Sequence, residues 1–241
     1  MEIKIRVKDQ SIAATLIKPE NLDSKNPALI FVHGWKSNQA GNIKRATEVS
    51  KLGFVCLTID LRGHGKSDGK IDQYSCKDHL EDIKTAYEYL LKLPEVDPKQ
   101  IGIIGSSYGG NLSAVAANFI KFKWLVLRVP ALYIDKYFDV PTEELIGKDE
   151  EGKAFKSSDA TPETSSALKG VVNFKGKILI VESEKDVVIP HAVIENYLKF
   201  ITPSKLTYKV MKDAAHSLET EEQEKEYIEI LMSFLRRQES N

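Results

Sequence analysis

The residues best suited to chemistry lie in 101–113, IGIIGSSYGGNLS. Gly105, Ser107 and Gly109 spell G-x-S-x-G between a short apolar run (Ile101, Ile103, Ile104) and a segment with helical spacing from Asn111 onward. A serine is a poor nucleophile unless it is held exposed and a base takes its proton. A sharp strand-to-helix turn meets the first need. It crowds its flanking positions, so only residues with little or no side chain fit there, and it lifts the central hydroxyl above the sheet. The helix that follows directs free backbone N–H groups at the same apex, where an oxyanion can be held. The glycines set the frame: Ser107 has glycine two residues away on each side, whereas Ser106 has Ile104 and Tyr108.

Such a serine needs a base, and the base needs an orienting acid; the chain order for this turn is serine, acid, histidine. Of the five histidines only His191 and His216 lie beyond residue 176. His216, in DAAHS, falls in the loop between the last expected strand and helix, where an imidazole can reach the turn. His191 follows Ile189-Pro190 and opens a helix, a place more usual for a capping or surface role. Asp186 comes just after a strand and is favoured as the acid. Glu182, which ends that strand, is its competitor, and Asp213 is too near His216 in sequence. The backbone N–H of Trp35 can join that of Tyr108 in an oxyanion hole. Asp60-Leu61-Arg62-Gly63-His64-Gly65 and His33 read as structural loops beside the site, with Asp60 and Arg62 pinning a tight bend.

The elements that position these residues alternate. Glu2–Lys8 and Ile12–Lys18 mix apolar and charged residues about Asp9-Gln10-Ser11, as an edge hairpin does. Ala28–Val32, Phe54–Ile59, the run before the serine turn, Trp124–Val129, Lys177–Glu182 and Leu206–Met211 read as strands. Helices are expected over 42–52, Cys76–Leu93, from Asn111, over 191–201 and over Glu221–Arg237, with Pro94 to Pro98 turning into the serine strand. The alternation predicts an α/β fold, a mostly parallel central sheet with helices on both faces. In such sheets function gathers at the carboxyl ends of the strands, where His33, Asp60, Ser107, the stretch Glu182 to Asp186 and His216 all fall. Residues 131–176 are polar and mixed in pattern. They read as a cap insertion that divides the core into 1–130 and 177–241 and brings Tyr133, Tyr137, Phe138 and Phe155 near the site.

A chain of 241 residues suits one α/β domain, and its net charge of -1 gives no case for nucleic acid or an anionic membrane. The alternating, charged start is unlike a signal peptide, and no apolar run approaches a membrane span. Cys56 and Cys76 lie in different elements, so free buried thiols are expected, with neither disulfide nor structural metal. These features predict a cytoplasmic protein without a cofactor, a monomer or homodimer whose partner is a small molecule.

Taken together, His33-Gly34-Trp35, the Asp60–Ser67 stretch, the serine turn, Asp186 with Val188-Ile189-Pro190, and Ala215-His216-Ser217 give the chain a family resemblance. Over roughly residues 20–240 it resembles the α/β-hydrolase fold, serine-nucleophile branch. It is most similar to small feruloyl/cinnamoyl-type esterases and to prolyl-oligopeptidase-like hydrolase domains. The resemblance implies Ser107 as nucleophile, His216 as base, Asp186 as acid, and the Trp35 and Tyr108 N–H groups as the oxyanion hole. It also implies cleavage of a carboxylic ester of a small or aromatic acyl group through an acyl-enzyme, with a peptidase or amidase as the alternative and a non-catalytic binding module as a further one. Ser183 and Ala215 stand where the family usually has glycine.

Overall fold

Apolar runs without polar interruption must be buried on both faces, and here they form the middle of one sheet. The structure, a computed structural model, describes residues 1–133, 135, 138–142 and 160–239. Its strands are β1 (Glu2–Val7), β2 (Gln10–Ile17), β3 (Asn26–Val32), β4 (Val55–Ile59), β5 (Val96–Ser106), β6 (Trp124–Arg128), β7 (Lys177–Ser183) and β8 (Leu206–Met211). They make an eight-stranded sheet in the order β1-β2-β4-β3-β5-β6-β7-β8. The pairs β1/β2 and β2/β4 are antiparallel and every other pair is parallel, so the expected edge hairpin flanks a parallel centre.

Among the described residues the α-helices are α1 (Ala40–Ser50), α2 (Cys76–Leu91), α3 (Tyr108–Ala116), α4 (Ser166–Asn173), α5 (His191–Phe200) and α6 (Glu221–Glu239). Alternation along β3 divides the core in two. Ala28, Ile30 and Val32 join Ile83, Leu112, Val171 and Val193 of α2, α3, α4 and α5 on one face. Leu29 and Phe31 join Val49, Tyr227, Leu231 and Phe234 of α1 and α6 on the other. Among the described residues no helix is long and apolar enough to cross a membrane. Cys56 and Cys76 are buried free thiols.

Two of the boundaries that differ from those the periodicity suggests have a local cause. Strand β5 begins at Val96, inside the expected turn. Pro98 cannot donate to a ladder, and it sits where the β3–β5 register shifts between Asn26 and Ala28. Helix α3 starts at Tyr108 rather than Asn111, because the turn spends one residue, Ser107, between strand and helix.

Helix α4, from the end of the polar segment, lies against α3 with Ala167, Leu168 and Val171 buried. A Cβ on Gly170 would stand 1.9 Å from the Ala114 carbonyl oxygen, so the two helices meet backbone to backbone. Residues 138–142 are tied to the start of α2. Lys77 N–H donates to Phe138 O (3.2 Å), and Thr142 donates to Tyr74 O through N–H (2.8 Å) and Oγ1 (2.7 Å). Tyr133 is buried and Phe138 half-buried, while Tyr137, Phe155 and the rest of 143–159 lie outside the described residues. The close contact makes a prediction: Gly170→Ala should destabilise the chain by about 1–3 kcal/mol through overpacking. Urea unfolding, with a lower midpoint at unchanged slope, checks this.

Candidate active site

Ser107 has φ 54 and ψ -117, a strained conformation for a residue with a side chain. Three backbone hydrogen bonds hold it there. Its N–H donates to Arg128 O at the end of β6 (2.9 Å), and its carbonyl accepts from Ala131 N–H (3.0 Å) and Asn111 N–H (3.1 Å). The flanking glycines are required by contact distance. A Cβ on Gly105 would lie 2.2 Å from Gly109 O, and one on Gly109 would lie 2.4 Å from His33 O. The same closeness presses the first turn of α3 onto the end of β3. That brings the loop after β3 beside the serine: a Cβ on Gly34 would stand 3.4 Å from Ser107 Cβ.

His216 Nε2 is 3.1 Å from Ser107 Oγ, and its Nδ1 is 2.7 Å from Asp186 Oδ2. The carboxylate fixes the tautomer: Nδ1 carries the proton and Nε2 presents a lone pair to the hydroxyl. Asp186 Oδ1 accepts two more hydrogen bonds, from Val188 N–H and Ile189 N–H, both 2.8 Å. Burial would raise the Asp186 pKa, but the hydrogen bonds from His216 and Ile189 outweigh it and hold the carboxyl below its usual value. The competing acid and base engage each other instead. Glu182 Oε1 is 2.7 Å from His191 Nδ1, and Glu182 also accepts from the Tyr208 hydroxyl. Asp213 pairs with Lys185 at the surface.

The loop carrying Trp35 is shaped by His33, whose Nδ1 donates to Gly34 O (2.8 Å) while its Nε2 accepts from Leu61 N–H (3.1 Å). Among the described residues the backbone N–H groups of Trp35 and Tyr108 have no acceptor. The Trp35 ring meets Tyr108 edge-on at 5.6 Å and His64 at 5.3 Å. Behind them His79 Nε2 faces Arg62 O at 3.0 Å and so carries its proton, and its Nδ1 accepts from the Tyr108 hydroxyl at 2.7 Å. The Asp60–Gly65 loop is pinned by hydrogen bonds to its own side chains. Asp60 accepts from Gln39 N–H (2.7 Å) and Lys66 N–H (2.9 Å), and Arg62 grips Asp82 through Nε (2.5 Å) and its N–H (2.9 Å).

Two residues at the site were not singled out from the sequence. One is His79. The other is Arg128, 4% exposed at the end of β6. Its carbonyl holds Ser107 N–H, and its Nη2 donates to His216 O (2.8 Å) and Ser183 Oγ (3.2 Å). Among the described residues it has no carboxylate in direct contact. Its guanidinium lies over the Tyr227 ring at 5.7 Å, and burial pushes its pKa down to about 10. The signal for it was visible: an arginine inside the apolar run LVLRVP needs a partner in the core.

Sheet order, elbow and hydrogen-bonded Ser–His–Asp set together define an α/β hydrolase. Residues 42–240 match the prolyl oligopeptidase family, and the chain belongs to it. It is 28% identical to the quorum-quenching protein AidA of Acinetobacter baumannii over 133 residues, covering 54% of this chain and 43% of that protein. It is 30% identical to prolyl endopeptidase FAP of Bos taurus over 172 residues, 64% of this chain and 22% of that one. The chain thus spans less than half the length of these curated relatives. Among solved structures it is similar to Est1E from Butyrivibrio proteoclasticus with ferulic acid bound. There the TM-score is 0.81 at 21% identity, covering 99% of this chain and 100% of that one.

The buried imidazoles predict an acid limb of stability. Burial pushes His33 down to about 4 and His79 to about 3, against an ordinary 6.5. Below pH 6.5 the unfolded chain takes up protons that the folded chain does not. Stability is therefore complete above 6.5 and falls with pH, by about 1.4 kcal/mol per unit for each histidine until its folded pKa is reached. Urea unfolding between pH 4.5 and 7.5 should show this slope, and His79→Gln should remove about one proton's share of it.

Proposed function

We propose that the chain is a serine hydrolase that cleaves a carboxylic ester of a small or aromatic acyl group through an acyl-enzyme. The observation that carries this is the continuous relay from Asp186 through His216 to Ser107, with the serine raised on a strained, clamped turn. Ser107 Oγ attacks the ester carbonyl as His216 Nε2 takes its proton. Asp186 keeps the tautomer and supports the imidazolium, remaining ionised throughout. The N–H groups of Trp35 and Tyr108 receive the oxyanion, each donor being worth roughly 3 kcal/mol in the transition state. His216 then protonates the leaving alcohol, and water repeats the steps on the acyl-enzyme. Arg128 is a positioning residue: one side chain and one carbonyl join the histidine loop to the serine turn.

Ester over amide rests on likeness to the ferulate-bound Est1E along the whole chain. Membership of the prolyl oligopeptidase family supports the second reading, a peptidase using the same relay. Residues 131–176 enter as a cap that selects the acyl group, its near end set by Tyr133, whose ring lies 6.1 Å from Tyr108. A panel of p-nitrophenyl and hydroxycinnamoyl esters against acyl-aminoacyl anilides tests the choice; faster turnover of the anilides would transfer the assignment to a peptidase.

Ser107→Ala should lower kcat by roughly 10⁵ or more, and Ser106→Ala should leave hydrolysis measurable. Asp186→Asn should be far more damaging than Glu182→Gln, and an inverted ranking in steady-state assays would reassign the acid. Arg128→Met relieves a buried charge while removing the tether on His216. Its unfolding free energy should stay within about 2 kcal/mol of the parent. Labelling of Ser107 by a fluorophosphonate should slow about tenfold to a hundredfold, the worth of a hydrogen bond from a charged group. Arg128→Lys should recover part of that rate. Unchanged labelling in Arg128→Met would show that the tether positions nothing.

A further inference from the structure

The amino ends of three neighbouring strands form a second concave site, far from the first. Lys99 precedes Ser107 by eight residues of chain along β5, roughly 25 Å at strand spacing. A groove of about 590 Å³ opens there between the loops that enter β6 and β7. Five of its ten lining residues are lysines: Lys99, Lys121, Lys123, Lys175 and Lys177. None of the ten is acidic, although the chain as a whole holds 34 basic and 35 acidic residues. All five lysines are exposed. Lys177 Nζ donates to Ser204 O at 2.9 Å, and among the described residues none of the five forms an ion pair.

The lysines are placed by the backbone. They come mainly from two K-x-K turns, Lys121-Phe122-Lys123 and Lys175-Gly176-Lys177. A Cβ on Gly176 would lie 2.1 Å from Lys123 O, so glycine lets the two turns pack against each other. Lys123 N–H donates to Ile101 O at 2.7 Å, which fixes the first turn to β5. One wall is aromatic: Tyr87 and Phe122 meet edge to face at 5.5 Å.

The one carboxylate bonded at the groove's edge, Asp97, accepts the Lys99 N–H at 2.9 Å, and five ammonium groups from turns this close leave the groove with a net positive potential. Its chemistry narrows the anion. An ammonium is a point charge with three donors, and it binds phosphate without the planar fork with which arginine pairs carboxylate or phosphate. Five such charges on one groove suit a multiply charged anion, and a phosphate carries more charge and more acceptor oxygens than a carboxylate. Two K-x-K turns suit more than one phosphate, and the near-neutral whole chain does not suit a long polyanion that would track over its surface. From this geometry we propose that the groove binds an oligophosphate group, free or carried on a small organic molecule such as a nucleotide. The site is independent of the hydrolytic one.

Calorimetric titration of the full chain with inorganic tripolyphosphate and with ATP tests it. At least one probe should bind saturably, and affinity should fall at least tenfold when salt is raised from 50 to 300 mM. The double variant Lys121→Glu/Lys175→Glu, both at exposed positions, should weaken binding at least tenfold with an unchanged melting temperature. Its ester hydrolysis should stay at the parental rate, and binding should persist in Ser107→Ala, which separates this site from the hydrolytic assignment. Binding of both probes marks the phosphates as the recognised group, and binding of ATP alone marks a nucleotide carrier. Absence of saturable binding, or binding indifferent to the charge reversal, overturns the proposal. So does retention only on anionic phospholipid vesicles or a single-stranded oligonucleotide.

Discussion

The conformation of Ser107 is the constraint around which the rest of the structure is arranged. A residue with a side chain at φ 54 and ψ -117 is strained by about 1–3 kcal/mol and persists only where its surroundings over-determine it. Here they do so through hydrogen bonds from three directions: Arg128 O at the end of β6, Ala131 N–H just beyond it, and Asn111 N–H in the first turn of α3. The turn can form only if strand and helix nearly touch, which is why Gly105 and Gly109 have no room for a Cβ. The contact then propagates. It sets the loop after β3 against the serine, with Gly34 beside the Ser107 Cβ.

Behind that loop lies a polar layer sealed inside the fold. His33, His64 and His79 are each nearly inaccessible, and each has a ring nitrogen bonded to a backbone carbonyl. Hydrogen bonds to neutral imidazoles are directional and carry no buried charge, so they fix loop geometry at low electrostatic cost. The Arg62–Asp82 pair performs a similar task with charges, and succeeds because Asp82 takes both the guanidinium and the Arg62 N–H. The result is a hydrogen-bonded layer packed against Trp35 and Tyr108, which suits the oxyanion role proposed for their N–H groups, since such dipoles must not reorganise during reaction.

Arg128 shows the opposite choice. A guanidinium buried without a carboxylate contact is costly, and the chain offsets that cost with an aromatic face and two neutral acceptors rather than an ion pair. Its geometry accounts for its retention. No other described residue bonds both the backbone of Ser107 and that of His216, which are far apart in sequence. The nearby ring of Tyr227 is shared with Arg45, itself paired with Glu224, so α1 and α6 are joined behind the histidine loop.

Much of this was legible from residue order because the signals are local. Apolar runs, the glycines about Ser107 and the alternating hairpin depend on neighbours in the chain, and they led to the sheet, the turn and the serine proposed as nucleophile. The partners were legible by chain order but not decided by it. Glu182, near the end of β7, and Asp186, in the turn after it, stand four residues apart, and His191 and His216 both follow Ser107. Only packing shows that β7 turns Glu182 toward His191 and Tyr208 while the next turn delivers Asp186 to His216. The part played by Arg128 was out of reach for the same reason, since it bonds residues 55 and 88 positions away. Sequence by itself determined which backbone conformations and which buried faces were possible. Tertiary structure decided which of several chemically equivalent side chains meet, because hydrogen bonds between distant residues depend on strand register and loop direction, and neither is written in any local pattern.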